Sequence, residues 1–497
     1  MTVPEPSRRP AYDVLGSPEP AARSGGGRSG LAIALVGAGA VAVAGSAMAF
    51  AAFLGGGGAQ PEDVLPSSAL AMVKLDLDPA AGQKVAIYRL AKKFPTTADR
   101  VQDSDSVKDE LLSALFEDDE DIDYDQDVKP WVGDRVGAAL MPGAQEPTPL
   151  VAVAYTDRAG AEAAMREQQA GDEEFFYAFS SRADYVLLGA SQDAVDSAAG
   201  TQDVLADSPS WEKGMDALDG DQILTAWADL DAVWSSLPQE ARDEAAAVYG
   251  AESDFALGGT VVAGAHAADD HVEVVGKAID LESPYQLQTA LGGGRGSDLV
   301  AGLPADTIAA LSMTNLGSGL AELFGSAYGA EDPLGIAAAA RDLGLSLPDD
   351  LRTLLGDQTV IGMFGEQDVA VRARTADPDA AFRTASTLAQ TFTGGGDTSQ
   401  LLRRLDDGLA AGSSPMALEA ISSDAGGLGE TAAFRTAVPD AEEAGYVLYV
   451  DIARALQMFG SDLEEGAADA ARLRSLGVTG SGDNRNSTFR MRLTVQD

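Results

Sequence analysis

Apolar residues recur along this chain with two periods, one near 3.6 and one of two. Ile87, Leu90, Ala91 and Phe94 fall at i, i+3, i+4 and i+7, one face of a helix that Pro95 ends. Val151, Val153 and Tyr155, and later Tyr185 and Leu187, alternate as half-buried strands do. Residues 175–179 read as another strand and Ser181–Asp184 as the turn after it, which predicts a hairpin. Strands come both in adjacent pairs and separated by helices. The pattern predicts an α+β fold with a mainly antiparallel sheet and packed helices, rather than a doubly wound parallel one.

The same order of landmarks occurs twice. LPSSALAMVKLDL opens at Leu65 and LPADTIAALSMTNL at Leu303. KPWVGDRVGAALMPG, around Gly133-Asp134, resembles RTLLGDQTVIGMFG around Gly356-Asp357. Each is followed by an apolar strand that ends in Asp and runs into an Ala-rich helix, VAVAYTD-RAGAEAAM and VAVRARTAD-PDAAFRTA. Further on, Trp211 aligns with Phe434 and Asp229 with Asp451, and each half closes on an alternating segment, 271–281 and 487–497. Internal repetition of this kind predicts two tandem related modules, each a sheet with packed helices. The boundaries expected are 65–291 for the first module, 292–298 for a linker that opens on Gly-Gly-Gly-Arg-Gly-Ser, and 299–497 for the second.

A third pattern lies ahead of both modules. Residues 31–54 carry no charge and no proline. As a helix such a run spans about 36 Å, enough for a hydrocarbon core of about 30 Å. A cleaved signal peptide is the rival reading, with Ala47-Met48-Ala49 as the site, but the apolar run continues beyond it to Leu54. Arg8, Arg9, Arg23 and Arg28 precede the run and Glu62 and Asp63 follow it. The positive-inside rule then predicts a single-pass cell-membrane protein: residues 1–30 a disordered cytoplasmic tail, 31–54 the transmembrane helix, 55–64 a tether, and both modules extracellular.

The segments VLPSSALAMVKLDLDPAAGQKVAIYRLAKKFP, DVKPWVGDRVG and AGYVLYVDIARAL resemble the domain-of-unknown-function 3352 family, over roughly residues 61 to 497. The resemblance implies a bacterial protein with an N-terminal membrane segment and a large exported region, and it supplies no activity, cofactor or site residue. The long acidic stretch before DVKPWVG departs from the family pattern.

Composition narrows the chemistry. The chain has 497 residues, no cysteine, two histidines and a net charge of −44. Without thiols there is no disulfide framework, Cys-ligated zinc or cysteine nucleophile, and a charge of that sign repels nucleic acid. Neither a G-x-S-x-G elbow nor a phosphate-binding G-x-x-x-x-G-K-[ST] loop occurs. His266 and His271 flank Ala-Ala-Asp-Asp and read as turn residues rather than a metal or proton-transfer pair. Asp119, Asp121, Asp123 and Asp125, in the acidic run 117–127, have the spacing of a calcium loop without its glycine or terminal glutamate, so a solvated loop is the plainer reading. Lys74, Lys84, Arg89, Lys92, Lys93 and Arg100 form a basic stretch that reads as a solvated helix face, as a contact for anionic headgroups, or as a partner of the acidic run.

No catalytic or cofactor-binding residue is named, no cofactor is expected, and a metal site is left open. The expected function is a membrane-anchored envelope protein with a non-catalytic binding or scaffold role. Its partners are the bilayer, through the N-terminal helix, and an envelope protein or small ligand. A carboxylate-based hydrolase of an envelope polymer and an acidic cation-binding protein are the alternatives.

Overall fold

The computed structural model describes residues 59–76, 80–98, 124–143, 146–172, 174–248, 257–282, 296–325, 340–341, 343–392, 398–423, 426–460, 466–483 and 485–496. The first half of this part contributes β1 (Ala71–Asp76), β2 (Val132–Met141), β3 (Thr148–Tyr155), β4 (Phe176–Phe179), β5 (Tyr185–Gly189), β6 (Leu224–Asp229), β7 (Gly258–Ala267) and β8 (His271–Glu282). The second contributes β9 (Ala309–Thr314), β10 (Gln358–Met363), β11 (Val369–Arg374), β12 (Leu402–Arg404), β13 (Gly408–Gly412), β14 (Tyr446–Val450), β15 (Leu473–Gly482) and β16 (Ser487–Val495). All sixteen join one sheet in the order β12-β13-β11-β10-β9-β14-β15-β16-β8-β7-β6-β1-β2-β3-β5-β4. Read from each outer edge, the halves run β4-β5-β3-β2-β1-β6-β7-β8 and β12-β13-β11-β10-β9-β14-β15-β16, the same order strand for strand.

Every neighbouring pair is antiparallel, as the mixture of hairpins and helix-separated strands predicts. The expectation of one sheet per module is corrected. β8 and β16 pair from Ala278–Ser487 to His271–Thr494 and fuse the two sheets. Each of these strands would otherwise be an open row of N–H and C=O groups, and mutual pairing removes both edges. The registers place a local twofold axis at this seam. The Ala267–Val272 pair of the first closing hairpin corresponds to Gly482–Ser487 of the second, and on that correspondence Val275 and Arg490 are counterparts. They are also direct partners across the seam.

Side chains alternate between the two faces of each strand, and described helices lie on both faces. The core face of the first half packs Met72, Ala152, Tyr185, Leu187 and Val262 against the helices Gln192–Gly200 and Pro209–Ala217. Its counterpart packs Ala310, Val360, Val447 and Tyr449 against Pro415–Ser422 and Ala432–Ala437. The opposite face carries the helices Ala81–Lys93, Arg158–Gly171 and Pro378–Phe392. Burial from both sides explains why Leu150 and Ala152 lie deeper than the Val151 and Val153 singled out by alternation.

Helix starts follow directly from sequence. Asp157 accepts from the N–H groups of Ala159 and Gly160 at 3.0 and 3.2 Å, and Asp377 from Ala380 at 2.9 Å. Asp229 accepts from Ala232 at 2.9 Å and Asp451 from Arg454 at 3.0 Å. Ser191 and Ser414 cap the next pair of equivalent helices through Ala194 and Ala417. A side-chain oxygen in each case satisfies an N–H that the helix leaves unpaired.

The chain enters on the core face. Pro61–Asp63 form a 3-10 turn laid on β2, where a Cβ on Gly137 would stand 2.4 Å from Pro61 Cβ, so this approach requires glycine. The Tyr185 hydroxyl donates to Ala59 O at 2.9 Å, the Glu62 carboxylate pairs with Lys74, and Val64 and Leu65 are buried. Residues 59–64 of the stretch read as a tether are thus packed into the fold. Ser297, from the stretch read as a linker, is likewise buried and donates to Ala444 O at 2.9 Å.

Residues 31–54 lie outside the described residues, as do the tail 1–30 and Asp119, Asp121 and Asp123 of the acidic run. Among the described residues no helix is long and apolar enough to cross a membrane.

Candidate functional site

The seam gathers charge on the core face. Alternation along β7, β8 and β16 puts His266, Glu273, Lys277, Arg490 and Arg492 on that face, and the registers set His266 and Arg492 on either side of Glu273. The Glu273 side chain is 5 % exposed. Its Oε2 accepts from Arg492 Nε and lies 3.7 Å from Arg490 Nε, while its Oε1 is 3.6 Å from His266 Nε2. Arg490 reaches on to Asp440 at 2.6 Å, and Arg492 donates to Thr436 O at 3.3 Å. A carboxylate this deep is tolerated because two guanidinium groups replace the water it has lost.

His266 responds to the same surroundings. Burial lowers its pKa, the Glu273 carboxylate opposes that shift, and the charges of His271, Arg492 and Arg490 reinforce it. Its Nδ1 is buried without a hydrogen-bond partner among the described residues. The reading of both histidines as exposed turn residues is corrected, although the hairpin itself forms, with Ala268 N–H donating to His271 O at 2.8 Å. His266 lies on the strand facing Glu273, and the His271 side chain, 13 % exposed, lies 2.7 Å from Asp270 through Nδ1. Asp269 instead takes Arg89 at 2.5 Å. Among the described residues no cluster of three or more His, Asp or Glu is arranged to hold a metal.

Four positions beyond Glu273 along the seam, Lys277, Thr488 and Ser481 stand side by side on β8, β16 and β15. With Glu443, Asp483 and Asn486 they line an open cleft of about 630 Å³. Lys277 donates to Ala217 O, with Asp219 at 3.7 Å. The Asp483 carboxylate accepts from the N–H groups of Asn486 and Arg485, both at 2.8 Å, and these bonds hold it below the usual carboxylate range. It therefore stays ionised and serves the turn.

The basic stretch does not assemble into one patch. Lys74 lies on the core face, paired with Glu62 and 5.5 Å from the centre of the Trp211 ring. The helix Ala81–Lys93 lies on the opposite face, where Ile87 and Leu90 pack with Ile223, Ala267 and Val495. There Arg89 pairs with Asp269 and Lys92 donates to Ala98 O at 2.7 Å. Arg100 is outside the described residues. Of the acidic run, Asp125 pairs with Lys129 at 3.1 Å and Asp127 O accepts from Trp131 Nε1 at 2.6 Å.

The Glu273 cluster escaped sequence reasoning because its members lie in different halves. A signal existed in the charged alternation of HVEVVGK and FRMRLTV, which marks a polar face on each closing strand but does not say that the two faces meet.

No curated protein matches the chain. Solved structures of TP0453 in crystal forms IV and III are similar over 45% and 44% of this chain and 81% and 80% of theirs. Their identities are 9% and 10% and their TM-scores 0.22 and 0.21, a likeness too slight to carry an argument. The model of the family described as "Protein of unknown function (DUF3352)" matches residues 29–175 of this chain.

Proposed function

We propose that this is a single-pass, membrane-anchored envelope protein whose extracytoplasmic part, two copies of one module fused at a seam, binds a polar ligand or partner without catalysing a reaction. The observation that carries the anchor is the uncharged run 31–54 with arginines before it and carboxylates after it. The family match begins at residue 29, directly ahead of that run. Packing of Ala59 to Leu65 on the core face supports a short connection, since only residues 55–58 then separate the run from the fold. The repeated strand order supports the duplication. Hydroxyl, amide and charged groups around the seam cleft support recognition of a polar ligand by hydrogen bonds.

Fractionation of cells that express the full chain tests the anchor. The expected result is protein in the membrane fraction with its N-terminus intact and its C-terminal part open to external protease. Mature protein in the medium that begins near Phe50 would overturn it. Capture from detergent-solubilised membranes, compared between the wild type and a cleft variant, Lys277→Glu with Thr488→Arg, tests the binding role. A partner retained equally by both would remove the cleft from the account.

A further inference from the structure

The seam is held differently on its two faces. On the face opposite the core, helix Ala81–Lys93 crosses from one half to the other. Ile87 and Leu90 pack with Ala267 and Val272 of the first half and with Leu473 and Val495 of the second. Gln83 Oε1 accepts from Ala267 N–H at 2.9 Å, and just beyond the helix Thr96 N–H donates to Asp469 at 3.2 Å. That grip is mainly apolar and hydrogen-bonded. On the core face the grip is ionic and converges on one buried carboxylate, Glu273.

Around His266, β8 supplies Glu273 and His271, with Asp270 on the latter. β16 supplies Arg490 and Arg492, and the stretch before β14 supplies Asp440, bound to Arg490. On the β6 side Ile223 N–H donates to Ala265 O, next to His266, and the Ile223 side chain packs on the opposite face with Ile87 and Leu90. A neutral His266 leaves Glu273 to the two arginines. A protonated one competes for the same carboxylate, repels both arginines, and turns a buried nitrogen that lacks a partner among the described residues into part of a cation.

We propose that the seam is an acid-sensitive latch: gain of a proton by His266 loosens the ionic grip around Glu273 while the apolar grip of helix Ala81–Lys93 holds, so the core face of the seam opens about the opposite face. The Lys277–Thr488–Ser481 row lies on the face that opens, so acid widens the cleft rather than separating the halves. The latch does not depend on what the cleft binds.

Amide hydrogen exchange of the full chain, followed by mass spectrometry and corrected for intrinsic rates, tests this between about pH 8 and about pH 5, the range in which histidine changes charge. Peptides from β8 and β16 should exchange several-fold faster at the acid end, while those from β3 and β5 keep their protection. His266→Gln, which cannot gain the proton, should abolish that pH response. An unchanged seam in the wild type, or a full response in His266→Gln, would overturn the latch. If the variant fails to fold, the wild type still decides: with only two histidines, NMR titration resolves His266. A midpoint below the ordinary value of about 6.5 is expected, and one at or above it would refute the proposal.

Discussion

The two halves agree on one face of the sheet and part company on the other. On the core face the correspondence reaches single side chains. Trp211 meets Trp227 edge-on at 5.6 Å, and Phe434 meets Tyr449 at 5.1 Å at the equivalent place. Pro66 bridges to Val204 and Pro304 to Gly427, while Leu205 N–H donates to Leu65 O as Leu428 N–H does to Leu303 O. On the opposite face, the helix after the first strand takes two courses. Ala81–Lys93 turns towards the seam and packs on β7, whereas Leu316–Gly325 packs on Asp349–Leu355, which in turn meets Pro378–Phe392. A twofold axis explains the difference, because two equivalent helices cannot both occupy the space at the axis. The two halves match where each packs its own core and differ where only the seam constrains them.

One core-face position breaks the correspondence. The first half buries the ion pair Glu62–Lys74 where the second has Val300 and Ser312, both fully buried. Removing one partner from a buried pair leaves an uncompensated charge, whereas replacing both removes two desolvation costs together.

The comparison can be broken at its strongest point first. Trp211→Ala and Phe434→Ala should each cost about 3–5 kcal/mol, since each deletes a large buried ring. Denaturant unfolding should give similar losses; a loss below about 1 kcal/mol at either position would show that the two cores are not equivalent. The exchanged pair comes next. Glu62→Val or Lys74→Ser alone should cost about 3 kcal/mol, and the double variant should recover most of it in the same assay. Additive losses would mean that the ion pair contributes beyond charge balance.

The caps give a smaller test. Asp229→Ala and Asp451→Ala should each cost about 1 kcal/mol, read as equal shifts of the denaturation midpoint. Acid should have the smallest effect. The pKa of His266 is lower in the fold than in the unfolded chain, so the unfolded chain binds more protons in that window. His266 then contributes its full stabilisation above its unfolded value, and the contribution is lost as pH falls below it. In the wild type the unfolding midpoint should fall with acid more steeply than in His266→Gln.

What sequence reveals here is local. The hairpin at 181–184, the helix ended by Pro95 and the strands that end in Asp before an Ala-rich helix all depend on residues close together in the chain, and the structure contains them. What it conceals is long-range. Nothing in HVEVVGK says that its edge meets FRMRLTV, so Glu273 reads as one carboxylate among many. Glu62 reads as the first charge after an apolar run, because its partner Lys74 declares itself only when Pro61–Asp63 fold onto β2. Lys74 reads with Arg89 as one basic stretch because sequence does not show that the sheet lies between them.

The seam between β8 and β16 is the claim on which the rest depends, and the absence of native cysteine makes it directly testable. Ala278 faces Ser487 and Lys277 faces Thr488. Hydrogen-bonded and non-hydrogen-bonded pairs alternate in an antiparallel ladder, so one of these two pairs has the closer spacing that suits a disulfide. Two double variants, Ala278→Cys with Ser487→Cys and Lys277→Cys with Thr488→Cys, should be oxidised mildly and then cut between residues 292 and 298. The account predicts that at least one yields halves joined until reductant is added, whereas two folded proteins whose halves separate without reductant would contradict it.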